Sequence, residues 1–159
     1  MKEKPSLKIT DPQKAYIKAQ KYCAYQERSQ QEVRDKLYSY GLHRNNVESI
    51  IADLITSGFL KEERFAIAFA GGKFRMKGWG KIKIKQALKF KSVPDKIISK
   101  ALSEIDAREY EKTLKKLISE RTKEVKEKNP LKKNYKIAQY AISRGFEPEL
   151  VWSFLRSED

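Results

Sequence analysis

One pattern of apolar residues occurs three times along this chain, and few folds are open to a chain built that way. Adding 51 to positions in the first occurrence carries Ala15 to Ala66, Ala19 to Ala70, Val33 to Ile84, Leu37 to Leu88, Leu42 to Val93, Ile50 to Ala101 and Ile51 to Leu102, with no gap. Adding 104 carries Val33 to Ile137, Leu37 to Ala141, Gly41 to Gly145, Leu42 to Phe146, Val47 to Val151, Ile50 to Phe154 and Ile51 to Leu155. Any two amphipathic helices can be slid into apolar register, but here the turn recurs too. Gly41-Leu42 returns as Gly145-Phe146, and Pro94 and Pro148 each fall in the first turn of the last helix of their unit, where proline lacks nothing the helix needs.

Start and stop signals divide each occurrence into three helices. Asp11-Pro12 opens the first with a capping residue and a proline at the first helical position, and the pattern runs to about Arg28. Ser29-Gln-Gln-Glu32 is a capping box, the apolar positions Val33, Leu37 and Tyr40 recur at helical spacing, and Gly41 supplies a left-handed stop. Asn45-Asn-Val-Glu48 repeats the capping logic ahead of a third helix that ends at Gly58. In the last occurrence the first helix is longer, roughly Ala107 to Lys128, before Asn129-Pro130 breaks and restarts it. The expected fold is all-α, with three tandem three-helix repeats spanning 11–58, 59–105 and 106–157. Each unit is too short to bury its helices alone, so neighbours are expected to share apolar surface in an elongated, curved rod, bending near Gly58-Phe59 and Ser103–Asp106.

Composition narrows the function. Lys and Arg exceed Asp and Glu by 35 − 21 = 14, which favours a polyanionic partner, nucleic acid above all, because each cation set on a phosphate releases a condensed counterion. With one cysteine, Cys23, and one histidine, His43, neither an internal disulfide nor a Cys/His zinc site can form. Cys23 reads as a small core residue beside Ala15 and Ala19, and His43 as a solvated turn residue. No apolar run reaches the ~18 residues of a membrane span, and the opening Met1-Lys-Glu-Lys-Pro-Ser6 lacks the apolar stretch of a signal peptide, so a cytoplasmic protein is expected. Nucleotide-loop and Ser/His/Asp arrangements are missing, Gly71-Gly72 is too short to cradle phosphates, and Glu62, Glu63 and Asp106 read as helix-start acids. A binding protein with no cofactor and no metal is expected, rather than an enzyme.

The strongest bias lies in the middle unit. Between Gly71 and Pro94 there is no acid, while Lys73, Arg75, Lys77, Lys81, Lys83, Lys85, Lys89 and Lys91 supply eight positive charges. The alternation in Lys81-Ile-Lys-Ile-Lys85 hints at a strand, but the repeat register makes this segment a helix with Ile84, Ala87 and Leu88 inward and Lys81, Lys85 and Lys89 on one outer face. Like charges at that spacing cost a few tenths of a kcal/mol per pair, and a merely solvated face usually intersperses acids. Trp79, which Gly78-Trp79-Gly80 places in a flexible turn, joins these eight as a candidate contact; Phe74 and Phe90 lie among the same lysines, Phe74 reading more as core. The residues alone leave three possibilities: binding to a nucleic-acid-containing assembly, a direct DNA-binding helical module, and a helical scaffold for an acidic protein.

Four blocks carry a family resemblance: Ser29-Gln-Gln-Glu-Val-Arg-Asp-Lys-Leu37, Gly58-Phe-Leu-Lys-Glu-Glu-Arg-Phe-Ala66, Lys73-Phe-Arg-Met-Lys-Gly-Trp-Gly-Lys-Ile-Lys-Ile-Lys85, and Ile97-Ile-Ser-Lys-Ala-Leu102. In these the chain resembles the RecX family of bacterial recombinase regulators, from about Lys14 to Leu155. The resemblance implies a protein of three three-helix repeats that lies along the groove of the RecA filament on single-stranded DNA; a monomer is expected. It also implies suppression of strand exchange, ATP hydrolysis and co-protease activity, and so modulation of DNA repair and the SOS response.

Overall fold

In the computed structural model, residues 8–157 are described, and among them are nine α-helices and no strand. The opening Met1–Ser6 stretch lies outside the described residues. The first three helices are α1 (Pro12–Tyr25), α2 (Gln30–Ser39) and α3 (Arg44–Thr56). They are followed by α4 (Glu62–Lys77), α5 (Lys81–Phe90) and α6 (Asp95–Ser103), and then by α7 (Ala107–Glu124), α8 (Pro130–Ser143) and α9 (Pro148–Ser157).

Most boundaries follow the capping chemistry. Asp11 accepts from the Gln13 N–H ahead of Pro12, and Ser29 and Glu32 complete a reciprocal capping box. Asp106 caps α7 through the Glu109 N–H, and Asn129 caps α8 through Leu131 and Lys132. Three expectations are corrected. Helix α7 stops at Glu124, short of Lys128, because Val125 is already extended. Helix α1 stops at Tyr25, because Gln26 is already extended. Helix α3 begins at Arg44 behind an uncapped His43, and Glu48 does not close a capping box; Arg34 of α2 takes it, Nε to Oε1 at 2.8 Å. A guanidinium across the helix pair offers that carboxylate a stronger, charge-assisted partner than its own backbone does.

The repeat register holds in three dimensions. Ala66, Ala70, Ile84, Leu88, Val93 and Ala101 are buried, as are Ile137, Ala141, Phe146, Val151 and Leu155; Leu102 and Phe154 are half-buried. Cys23 is buried with Ala15 and Ala19. Within each set of three, successive helices pack on each other, and the most extensive contact joins a first helix to a third, α4 to α6.

Sharing of apolar surface is unequal. Helices α4–α9 build one continuous core from Phe65 to Leu155, whereas α1–α3 and Leu60 build a separate one. The seam between the two is polar. Glu27 pairs with Arg64 at 2.6 Å, Glu32 with Lys91 at 2.8 Å, and the Glu62 carboxylate accepts from the Gln30 N–H at 2.8 Å. Glu62 is only 8% exposed, and burial pushes its carboxyl above the usual range.

A candidate polyanion interface on the middle helices

α4 and α5 meet through the turn Gly78-Trp79-Gly80. Gly78 is left-handed (φ 65°) and closes α4 by bonding back to Phe74, while Trp79 bonds back to Lys73. The turn is far from flexible. Gly80 is buried, and a Cβ there would lie 2.2 Å from the Gly145 carbonyl carbon. Helix α5 has no side-chain cap and opens with lysines at its positive end, an unfavourable start. Its free N–H groups are satisfied by the third unit instead: Gly80 N–H donates to the Arg144 carbonyl, Ile82 N–H to the Gly145 carbonyl, and Lys81 N–H to the Tyr110 hydroxyl. The Tyr110 hydroxyl donates in turn to Glu147, and burial with that carboxylate raises its pKa far above the ordinary value.

The candidate residues divide into groups. Lys73, Trp79, Lys83 and Lys91 form a ladder of cations and rings. The Lys91 ammonium stands 5.8 Å from the Phe69 ring centre, Lys73 stands 5.5 Å from Phe69 and 5.0 Å from Trp79, and Lys83 stands 4.7 Å from Trp79. The rings gather ammonium groups that would otherwise repel and splay apart. Lys85 and Lys89 stand exposed one turn apart on α5, Lys89 with a loose 3.7 Å approach to Asp95. Lys81 departs from the expected outer stripe: it is half-buried, with its ammonium 4.9 Å from the Tyr110 ring centre. Lys77 is exposed, and its carbonyl accepts from Arg144. Arg75 belongs to another surface, its guanidinium lying on Gly71.

Of the aromatics, Phe74 is core, tilted against Tyr110 at 5.7 Å. Trp79 is half-buried against the same core with ammonium groups on its ring, so it organises lysines instead of standing free to stack. Phe90 is 91% exposed between Lys89 and Lys91. Phe69 is the component that sequence reasoning missed. It lies four residues before Lys73, a helical spacing that could have flagged it.

Among the described residues no helix is long and apolar enough to cross a membrane. Comparison with known proteins gives consistent matches. Family models for the first and second three-helix domains of RecX match residues 15–54 and 62–102. Regulatory protein RecX of Streptococcus uberis is 33% identical over 132 residues, 82% of this chain and 50% of that protein. Regulatory protein RecX of Prosthecochloris aestuarii is 35% identical over 98 residues, 62% of this chain and 65% of that protein. The chain thus spans half to two-thirds of the length of these relatives. The crystal structure of RecX from Lactobacillus salivarius has the same fold, with a TM-score of 0.85 at 24% identity over 92% of this chain and 95% of that one.

Proposed function

Since the chain belongs to the RecX family of regulatory proteins, we propose that it is a non-enzymatic modulator of the RecA recombinase, acting as a monomer on the RecA filament assembled on single-stranded DNA. Its effect is inhibitory: it restrains strand exchange, ATP hydrolysis and co-protease activity, and through them DNA repair and the SOS response in the cytoplasm. The cation–aromatic ladder on α4 and α5 carries this reading, together with Lys85 and Lys89, which extend the basic surface around the exposed side of α5. A polyanion is the natural counterpart of such a surface, because its phosphates relieve repulsion among ammonium groups that have few carboxylates nearby. Lys81 acts as a packing residue at the junction with Tyr110, and Lys77 as an exposed cation beside it.

Co-sedimentation with RecA filaments, with the salt dependence recorded, tests the proposal. Replacing Lys85 and Lys89 together by Glu is expected to leave the circular dichroism spectrum intact, since both side chains are exposed. It is expected to weaken filament binding by about tenfold or more and to lower the slope of log affinity against log salt by about two. RecA ATPase inhibition unchanged by this double substitution overturns the site.

A further inference from the structure

Helix α4 separates two surfaces of opposite character. At 3.6 residues per turn, Phe69 and Lys73 of the ladder point about 200° away from Gly71 and Arg75. On that far flank runs a groove of about 470 Å³ between α4 and the α6–α7 junction, floored by Ile67, Ala68, Gly71, Phe74, Ala101 and Ile105. It continues past Ile67 and Ala68 into a second hollow of about 380 Å³ towards the start of α4. The rim is acid-rich for so basic a chain: Glu104, Asp106, Glu109, Glu63 and Glu27 share it with Arg75, Arg64 and Lys61, while Lys100 approaches Glu104 loosely at 3.6 Å and Asp106 also caps the Glu109 N–H. Arg64 is already neutralised by Glu27, and Arg75 lies along the floor at Gly71.

A surface of this kind rejects phosphates and accepts the reverse chemistry. We propose that the groove docks an apolar polypeptide segment carrying a Lys or Arg side chain, supplied by the protein component of the filament, while the opposite flank of α4 meets the nucleic acid. Charge complementarity argues for this occupant: apolar side chains cover the floor, and a cation reaches the carboxylates at the α6–α7 junction. The small residues Ala68 and Gly71 leave room for the segment's backbone to approach α4 closely. The inference rests on the filament-binding reading and adds to it a division of labour between two faces of one helix.

Two substitutions test it by co-sedimentation with recombinase filaments. Ala68→Trp puts an indole into the groove from an exposed position and is expected to weaken binding about tenfold, the loss of one hot-spot contact, without changing the salt slope. Glu104→Lys places a cation at the C-terminus of α6, where the helix tolerates it. It is expected to weaken binding if the groove takes a cationic polypeptide segment, and to strengthen binding if the groove faces phosphates. Both variants are checked for native circular dichroism and thermal midpoint. Unchanged or tighter binding by folded Glu104→Lys, or unchanged binding by folded Ala68→Trp, overturns the groove assignment and leaves the lysine face standing. Failure of the unsubstituted protein to co-sediment overturns both.

Discussion

Two glycines decide how the lysine-bearing helix is seated. Gly145 is left-handed (φ 99°), and a Cβ on it would sit 2.4 Å from the Lys83 Cβ, while Gly80 abuts the Gly145 carbonyl. Neither neighbour is a flexible side-chain end, so the backbones would have to separate. Gly80→Ala is expected to cost about 3 kcal/mol or more, read as a lower denaturant midpoint. Gly72 offers the contrast: it lies inside α4 with nothing near its missing Cβ, so Gly72→Ala is expected to stabilise by about 0.5–1 kcal/mol. The two positions look alike in the sequence. Gly145 was legible through its recurrence with Gly41, but Gly80 read as part of a loose turn, because what fills the space beside it comes from a residue 65 positions away.

At the scale of elements, helix starts were read well where the capping residue is local: α2, α7 and α8 carry both their apolar stripe and their start signal, although α7 ends four residues short of the expected Lys128. Helix α5 carries only the stripe. Its amphipathic register was legible from the repeat, yet its start is secured by Tyr110, Arg144 and Gly145, contacts that no local pattern encodes. The same gap explains Lys81, which the register set on an outer face before Tyr110 could be seen beneath it. Tyr110→Phe keeps the buried ring but leaves the Lys81 N–H and Glu147 without their shared hydroxyl. The expected cost is about 1–3 kcal/mol, the usual penalty for a partly buried group losing its partner. Amide exchange should localise the loss to the first turn of α5.

For the molecule as a whole, the unequal division of the core is the main departure from the symmetry of the sequence. Three equal repeats predict two equal junctions, but charged side chains at Glu27, Glu32, Glu62, Arg64 and Lys91 make the first junction polar, while apolar packing and interlocked turns make the second solid. Ion pairs of this exposure are worth at most about 1 kcal/mol each, and salt screens them. Replacing Arg64 and Lys91 together by Gln is therefore expected to broaden the distance distribution between spin labels on α3 and α9, as does raising the salt for the unsubstituted protein. A distribution equally narrow in all three conditions would show that the seam is held by something other than charge. Lys91 lies both in this seam and in the ladder, so a polyanion drawn to the ladder competes with Glu32 for it.

The separate cores also set an order for biosynthesis. The first core is complete once Leu60 has left the ribosome, so α1–α3 can collapse while the rest is still being translated. Helices α4–α6 have no such independence. Phe74, Ile84 and Leu88 find their full packing only when Phe146 and Val151 have been made. Until then, the nascent chain presents one finished module followed by a sticky, lysine-rich segment awaiting its lid, and that segment is where a chaperone would be expected to bind.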